Sequence, residues 1–431
     1  MFLETGIIGL GVLLALLIFR VPVAIALMGV SIGGIAAMMG PDLAISMLAS
    51  KPYDFLSKWT LSAVPMFLLM GFVSYHTGLT AGLFNAAKVV FRWLPGGLAI
   101  SSIFASSGFA AVSGSSVACA AAMGKIAIPE MVRSGYKPSF ACGTIAAGGT
   151  IGALIPPSIL MIIYGTFTQT SITDVFLGGI VIGLVTAVTY SVVVLLVSAF
   201  RPDVVPRHEQ GALDCTVGEA IREIWPVLVL GILIFGGMFS GVFTATEAGA
   251  MGAAGAIVIS LLIGRLDLGT FKTALLETLM TTSALLIIGV GASMFTVFLS
   301  LSGVAGSIGD LLGEWSLGYL GLMLIIIAVY LVLGLFMEPF GAMLITLPIF
   351  LPVLSGMDVS LIWFGVLVVK LLEIGMITPP VGMNIFVIRG VAADYASLVD
   401  IFKGVILFLI ADLFIVALMV FEPEFVMTLV D

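Results

Sequence analysis

The chain has 431 residues, of which 61% are hydrophobic and only 9% charged, far below the roughly one-quarter charged expected of soluble domains. Its apolar runs approach the roughly 20-residue length of a bilayer span, so the composition describes an all-α polytopic membrane protein. The net charge of −8 leaves no basic face for nucleic acid.

In chain order, apolar windows between breakers and charges predict about ten crossings. They fall near 3–19, 22–39, 60–76, 139–166, 175–199, 226–243, 247–264, 276–300, 361–388 and 404–421. The first lacks a positive leader and a small-residue cleavage site and reads as a mature span. Leu43 to Trp59, carrying Lys51 and Lys58, is amphipathic and is expected along the membrane surface. Two further apolar stretches, 98–131 and 319–353, are too long for one crossing and are interrupted centrally. Each reads as a re-entrant hairpin of two half-depth helices. The tips would be SGSS at Ser113 to Ser116 and MEPFG at Met337 to Gly341. Arg20, Lys88, Arg92, Lys125, Arg133, Lys137, Arg201, Arg207, Arg222, Arg265, Lys272, Arg389 and Lys403 thread to one side, while the loops 168–173, 301–318 and 354–360 hold no Lys or Arg. By the positive-inside rule this puts both termini outside the cytoplasm.

Two of the crossings are broken. GGTIGALIPPSI runs from Gly148 to Ile159, and LEIGMITPPVGMNIF from Leu372 to Phe386. Proline removes a backbone donor and clashes with the preceding turn, and in hydrocarbon the freed carbonyls are tolerable only against protein or a watery cavity. The halves also repeat: Pro352 lies 223 positions after Pro129, and Pro379 the same 223 after Pro156. Gly152 with Gly375 and Ile151 with Ile374 keep that register, and the span at 175–199 becomes the odd connector that inverts the second half. Inverted repeats with paired broken helices are the construction of many secondary transporters, with binding near the midplane.

Helix breaks expose carbonyls that suit Na⁺ and amides that suit anions. Oxygen donors at the first half are Ser113, Ser115 and Ser116 with the Gly114 backbone, the backbone of Gly148 to Gly152, Thr150 and the Pro156 break. The second half offers Glu338, Thr378, the Pro379 break, carbonyls around Gly382 and Asn384. Substrate contacts are expected from Ser115, Ser158, Lys370, Thr378, Pro380 and Asn384. SGSS has a plainer reading as close helix packing, but its place opposite a Pro-Pro break favours a site. Three ionisable residues lie within apolar segments, Lys370, Glu373 and Glu338. Lys370 and Glu373 share a helical face and either neutralise each other or leave Lys370 to counter an anionic substrate. Glu338 either senses a cation or caps a half-helix. Glu247 after FTAT reads as a helix N-terminal acid, and Arg389 follows the topology rule.

His76 and His208 stand isolated, and no Ser/His/Asp or Cys/His set, HExxH run or phosphate-cradling loop appears. This argues against an enzyme. Cys119, Cys142 and Cys215 lack metal spacing and read as packing residues. The 22 Met and 29 Phe imply no cofactor.

SGSS with the later GKIAIPEMVRSGY, then GGTIGALIPPS, GVFTATEAGA, GLFMEP and EIGMITPPVGMNIFV, together resemble the large membrane subunit of TRAP (tripartite ATP-independent periplasmic) transporters of the DctM/SiaM kind. The likeness runs over nearly the whole chain. It implies an inverted-repeat, elevator-type member of the ion transporter superfamily in the bacterial inner membrane. Such a protein takes up an organic anion, with Na⁺ as coupling ion, from a periplasmic substrate-binding protein, alongside a small four-helix membrane subunit. By analogy the Na⁺ sites fall at the first tip with the Gly148 to Ser158 break, and at Thr378 to Asn384 with the second tip. Ala245, where the pattern has Pro, and Glu338, where Asp is common, depart from it. The implied layout is a scaffold (1–97 with the amphipathic arm, 226–318, and a last helix in 390–431) and a transport domain (98–174 and 319–389), with 175–225 as connecting helix and cytoplasmic loop. A stand-alone Na⁺/dicarboxylate symporter of the same architecture and a channel-like subunit remain as alternatives. The substrate stays open among C4-dicarboxylates, keto acids, sialic acid-like sugars and taurine-like sulfonates.

Overall fold

The computed structural model describes residues 2–206, 216–304, 306–307, 318–357 and 359–430. Arg207, His208, Cys215 and the stretch 308–317 lie outside the described residues. Among the described residues every regular element is helical.

In chain order the helices are α1 (Leu3–Ile18), α2 (Val23–Met39), α3 (Pro41–Leu56), α4 (Ala63–His76), α5 (Ala81–Phe91), α6 (Gly97–Ser113), α7 (Ser116–Arg133), α8 (Pro138–Thr150), α9 (Ile159–Thr168) and α10 (Ile172–Phe200). There follow α11 (Val217–Phe239, with a π turn at Ile232–Gly236), α12 (Ala245–Leu262), α13 (Leu268–Ser302), α14 (Tyr319–Phe336), α15 (Pro339–Ser355), α16 (Leu361–Gly375), α17 (Met383–Val391), α18 (Leu398–Phe421) and the short α19 (Pro423–Met427). Each of the ten expected crossings coincides with helix over most of its length. By length and composition, however, only six single helices among the described residues can cross a membrane, or seven when α3 is joined to Trp59–His76 across a 60° bend. Five of the six fall on expected crossings, and the sixth is α14, expected as half of a re-entrant hairpin. The other crossings fall short for physical reasons: α1 and α2 are 16 and 17 residues, 60–76 reaches span length only with α3, and the two broken crossings are split into short pieces. The 11-residue α5, which packs on α6 and α11, was not expected from hydropathy because its Asn85, Lys88 and loop glycines mask it.

Local chemistry sets the ends. Thr244 caps α12 in a reciprocal box with Glu247, as read for Glu247, and Thr216 does the same for α11 with Glu219. Arg389 closes the far end of α17 by donating to the carbonyls of Ala393 and Ala396.

Both long apolar stretches break where the sequence places the tips. Gly114 in left-handed conformation (φ +60°) ends α6, and Ser115 caps α7 by accepting from the Ala118 amide at 3.4 Å. Met337 and Glu338 are extended, and Pro339 opens α15 at the first helical position, where a missing N–H costs nothing. The arms are longer than the half-depth expected: 17 or 18 residues each, or about 26 Å at 1.5 Å per residue. Helical bonding in α7 continues past Lys125 to Arg133, beyond the purely apolar run.

One set of helices packs around α2, α4, α12 and α13; another packs around α6, α7, α8, α10, α16 and α18. Hairpin 2 bridges them, α14 against α16 and α15 against α13. The C-terminal α18 was expected to join the scaffold. It packs instead on α8, α10, α16 and α17, because Gly404 lies directly on α8 and Asp412 is buried among α10 and α16. Buried Cys119 and Cys142 are free thiols in this core.

The crossing of α8 and α18 depends on two facing glycines. A Cβ at Gly404 would overlap the Ser139 carbonyl oxygen, and one at Gly143 would overlap the Gly404 backbone. Gly404→Val should therefore destabilise the protein by about 1–3 kcal/mol, the usual cost of overpacking. Gly11→Ala on the open face of α1, where a Cβ meets nothing within 4 Å, should not. Heat-induced loss of the monodisperse peak in detergent separates the two.

Candidate functional site

Both breaks open on the same protein interior, though they are built differently. In the first, α8 ends at Thr150, a 3-10 turn covers Ile151–Ala153, and Ser158 restarts the chain as α9 by accepting from the Met161 amide at 3.4 Å. In the second, α16 ends at Gly375 and Gly382 (φ +55°) starts α17, with a Cβ there meeting the Thr378 carbonyl at 3.2 Å. Pro156–Pro157 and Pro379–Pro380 are both cis.

Tip 1 sits on the first break. A side chain at Gly114 would strike the Pro157 carbonyl oxygen, and Gly152 approaches the Ser115 carbonyl so closely that a Cβ would lie 3.2 Å from it. Gly334 of hairpin 2 faces Gly375 in the second half. The four pieces then border one cavity of about 630 Å³. It is lined by Ser113 to Ala118 of tip 1, Glu338 to Phe340 of tip 2, Ala153 and Ile159 of the first break, and Glu373, Met376 and Met383 of the second. Leu68, Phe72 and Tyr75 on α4 and Met280 to Leu285 on α13 close its other side.

Of the expected site residues, Ser113, Gly114, Ser115, Ser116 and Glu338 line this cavity. Gly148, Thr150, Gly152, Pro156 and Ser158 do not; they are buried behind tip 1. Thr150 spends its hydroxyl proton on the Ala147 carbonyl at 2.6 Å and meets Tyr190 Oη at 3.4 Å. Asn384 is fully buried beside the lining residue Met383, and its side-chain oxygen and nitrogen find no partner among the described residues. Ser113 Oγ is likewise buried without one among them. Buried polar atoms are almost always hydrogen-bonded, so these atoms keep hydrogen-bonding capacity for whatever occupies the cavity. Thr378 donates to Ile374 O at 2.6 Å and keeps its oxygen lone pairs, while Pro379 and Pro380 are exposed away from the lining. Glu338 is exposed to the cavity and makes no side-chain capping bond, so the half-helix cap does not form.

Lys370 corrects two expectations. It neither pairs with Glu373 nor reaches the cavity. Its ammonium, 1% exposed, donates to Asp412 Oδ1 on α18 at 2.5 Å and to Thr186 Oγ1 on α10 at 3.1 Å. Tyr190 donates to both Asp412 oxygens at 2.8 Å, completing a satisfied cluster across α10, α16 and α18. Asp412 was missed although it lies inside the expected crossing 404–421, where the same rule that singles out Glu338, that charges within apolar spans seek partners, would have flagged it. The substrate contact assigned to Lys370 therefore falls. Glu373 turns the other way, accepting from Ser116 Oγ at 3.2 Å. It occupies the place of Thr150 in the 223-residue register, a signal the repeat held. His76 is not isolated either: its Nε2 lies 2.9 Å from Glu277 Oε2. No group of three metal-ligating side chains forms among the described residues. The oxygen donors at tip 1 and around Asn384 suit a hard monovalent cation better than a soft metal.

A family model described as tripartite ATP-independent periplasmic transporter, DctM component, matches residues 10–425. The C4-dicarboxylate TRAP transporter large permease protein of Pseudomonas aeruginosa is 36% identical over 355 residues, covering 82% of each chain. The isethionate TRAP transporter permease protein DctMQ of Oleidesulfovibrio alaskensis is 32% identical, covering 87% of this chain and 59% of that one. Among solved structures the YdaH transporter of Alcanivorax borkumensis matches with TM-score 0.64 at 15% identity, covering 88% of each chain. That last likeness speaks for the fold alone.

Breaking the buried ion pair from one side leaves an uncompensated charge. Lys370→Met should cost about 3–5 kcal/mol, and the double variant Lys370→Met/Asp412→Leu should recover most of that loss. Unfolding midpoints of both variants in lipid nanodiscs measure the contrast.

Proposed function

We propose a role for this chain from one premise: it belongs to the DctM family of tripartite ATP-independent periplasmic transporters, as their large permease component. It is a multi-pass inner-membrane transport subunit and not an enzyme. In the role we propose, it carries a small organic anion, a carboxylate or a chemically similar sulfonate, inward together with Na⁺. A periplasmic binding protein delivers the anion, and a small membrane subunit completes the permease. The DctMQ relative is longer, this chain covering 59% of it.

The observation that carries this reading is the single cavity bordered by both tips and both breaks, with unpartnered polar atoms of Ser113 and Asn384 at its edge. The N-termini of α7, α9 and α15 point their first residues into it, and helix N-termini favour negative charge. Among the described residues no Lys, Arg or His lines it. The anion is therefore held by hydroxyls, helix ends and co-bound cations. Oxygens of Ser113, Ser115, Ser116 and the backbone beside the first break would hold one Na⁺, and Thr378, Asn384 and the carbonyls around Gly382 another. Cation binding fixes the tips and lowers the local negative charge, which raises anion affinity, and by linkage the anion raises Na⁺ affinity equally. At Gly71 of α4 the backbone of Ser113 comes so close that an added Cβ would lie 3.0 Å from its carbonyl oxygen. In the elevator motion we propose, the tips and broken helices slide as a body past α2, α4, α12 and α13. No observation favours a self-sufficient symporter.

Uptake into proteoliposomes of the anion that the binding protein carries should require the small subunit, the binding protein and an inward Na⁺ gradient. Ser115→Ala and Asn384→Ala should each raise the half-saturating Na⁺ concentration on the order of tenfold, equivalent to about 1.4 kcal/mol of lost coordination. Uptake by this chain alone, or unaltered Na⁺ dependence in both variants, sinks the reading.

A further inference from the structure

A second cavity, of about 460 Å³, lies at the other end of α9. Ile159 and Leu160 at the start of that helix line the central cavity, and Gly165 and Thr166 near its end line this one. Leu160 and Thr166 are about 9 Å apart along the axis at 1.5 Å per residue. The bordering loop 168–173 holds no Lys or Arg, which by the positive-inside rule puts it on the outer face. The other walls are the turn after α3 and the starts of α10 and α12.

The lining has the chemistry of an anion site. Lys58 borders it and donates to the Thr166 carbonyl at 3.2 Å, keeping further N–H donors for a ligand. Ile172 and Thr173 are the first two residues of α10, as Ala245 and Thr246 are of α12, and all four line the cavity. Amides in a first turn have no acceptor in their own helix, so two helix N-termini offer N–H groups and positive dipole ends here. The Thr166 hydroxyl, in a residue 6% exposed that also lines the cavity, has no partner among the described residues. Among those residues no Asp or Glu lines it: Glu247 is tied into the Thr244 box, and Asp174 follows the last lining residue of α10.

We propose that this cavity is a second anion site, which takes the carboxylate or sulfonate of the organic anion on the outer face, one helix away from the central cavity. The inference rests on the transport reading above and deepens it by giving the anion a place to wait. Lys58 supplies the full positive charge that the central cavity lacks among the described residues, so this site holds the anion without sodium. Ala245, which stands where the family pattern has Pro, adds an N–H that Pro would not carry.

The test measures binding of succinate and of isethionate to the purified full-length chain in lipid nanodiscs. Saturation-transfer NMR follows it in sodium-free Tris chloride, with butane-1,4-diol as the uncharged control. Wild type is expected to bind at least one of the two anions saturably without Na⁺ and to ignore the diol. Lys58→Met should raise the dissociation constant about tenfold, as the loss of a charge-assisted hydrogen bond does, while Lys58→Arg keeps most of the affinity. Ala245→Pro should raise it several-fold. That variant is built to fold, because Thr244 is already extended (φ −70°, ψ 163°) and proline is tolerated at the first helical position. Absence of saturable sodium-free binding in wild type overturns the proposal. So does binding unchanged in both Lys58→Met and Ala245→Pro, since Lys58 is then only a strut on the end of α9. Should Lys58→Met not fold, Ala245→Pro decides alone. A wild type that binds without Na⁺ yet shows no Na⁺-driven uptake with its partner proteins defeats the transport reading and leaves this site standing.

Discussion

A broken helix inside a membrane leaves amides and carbonyls that only protein, bound ions or enclosed water can satisfy. The contact between tip 1 and the first break answers that constraint, and much of the molecule is arranged around it. Gly114 has no side chain because the Pro157 carbonyl occupies the space one would need, and Gly152 has none because the Ser115 backbone lies against it. Once tip and break are seated this closely, α6 and α7 are fixed against α8, and α10 covers the far side, its Gly179 and Gly183 resting on Leu154 and Ile155. The first break is thereby sealed from behind and open only toward the cavity.

The second half meets the same constraint with less cover. Gly382 folds back on the Thr378 carbonyl, Asn384 takes the Met376 carbonyl through its amide at 3.0 Å, and Pro379 and Pro380 stay exposed. The two halves share a backbone plan without sharing their polar atoms: Thr150 becomes Glu373, and Ser158 becomes Val381 in the common register. A symmetric frame therefore holds an asymmetric site.

Charges inside the frame divide by role. Lys370, Asp412, Tyr190 and Thr186 satisfy one another and pin α10, α16 and α18 together. Removing either charge alone would leave the other stranded, which is why such pairs cost more to break than they gain by forming. Glu373 and Glu338, by contrast, line the cavity, and Glu373 reaches Ser116 of tip 1. One turn of helix separates Lys370, tied to Asp412, from Glu373, which faces the cavity.

Much of this was legible in the residues. Apolar run lengths gave the helices, the prolines gave both breaks, the 223-residue register gave the repeat, and SGSS and MEPFG gave the tips, because each depends on local backbone chemistry that a short stretch dictates. Glu247 as a cap and the buried Cys119 and Cys142 followed from equally local rules. Pairing did not. Lys370 and Glu373 lie three residues apart on a helical face, yet one reaches Asp412, 42 positions away, and the other Ser116, 257 positions away. His76 likewise finds Glu277, and α18 settles on α8 instead of the scaffold. Spacing along a helix says which side chains could meet, but in hydrocarbon a charge goes to whichever distant partner the packing of other helices brings closest, and that choice is made only in three dimensions.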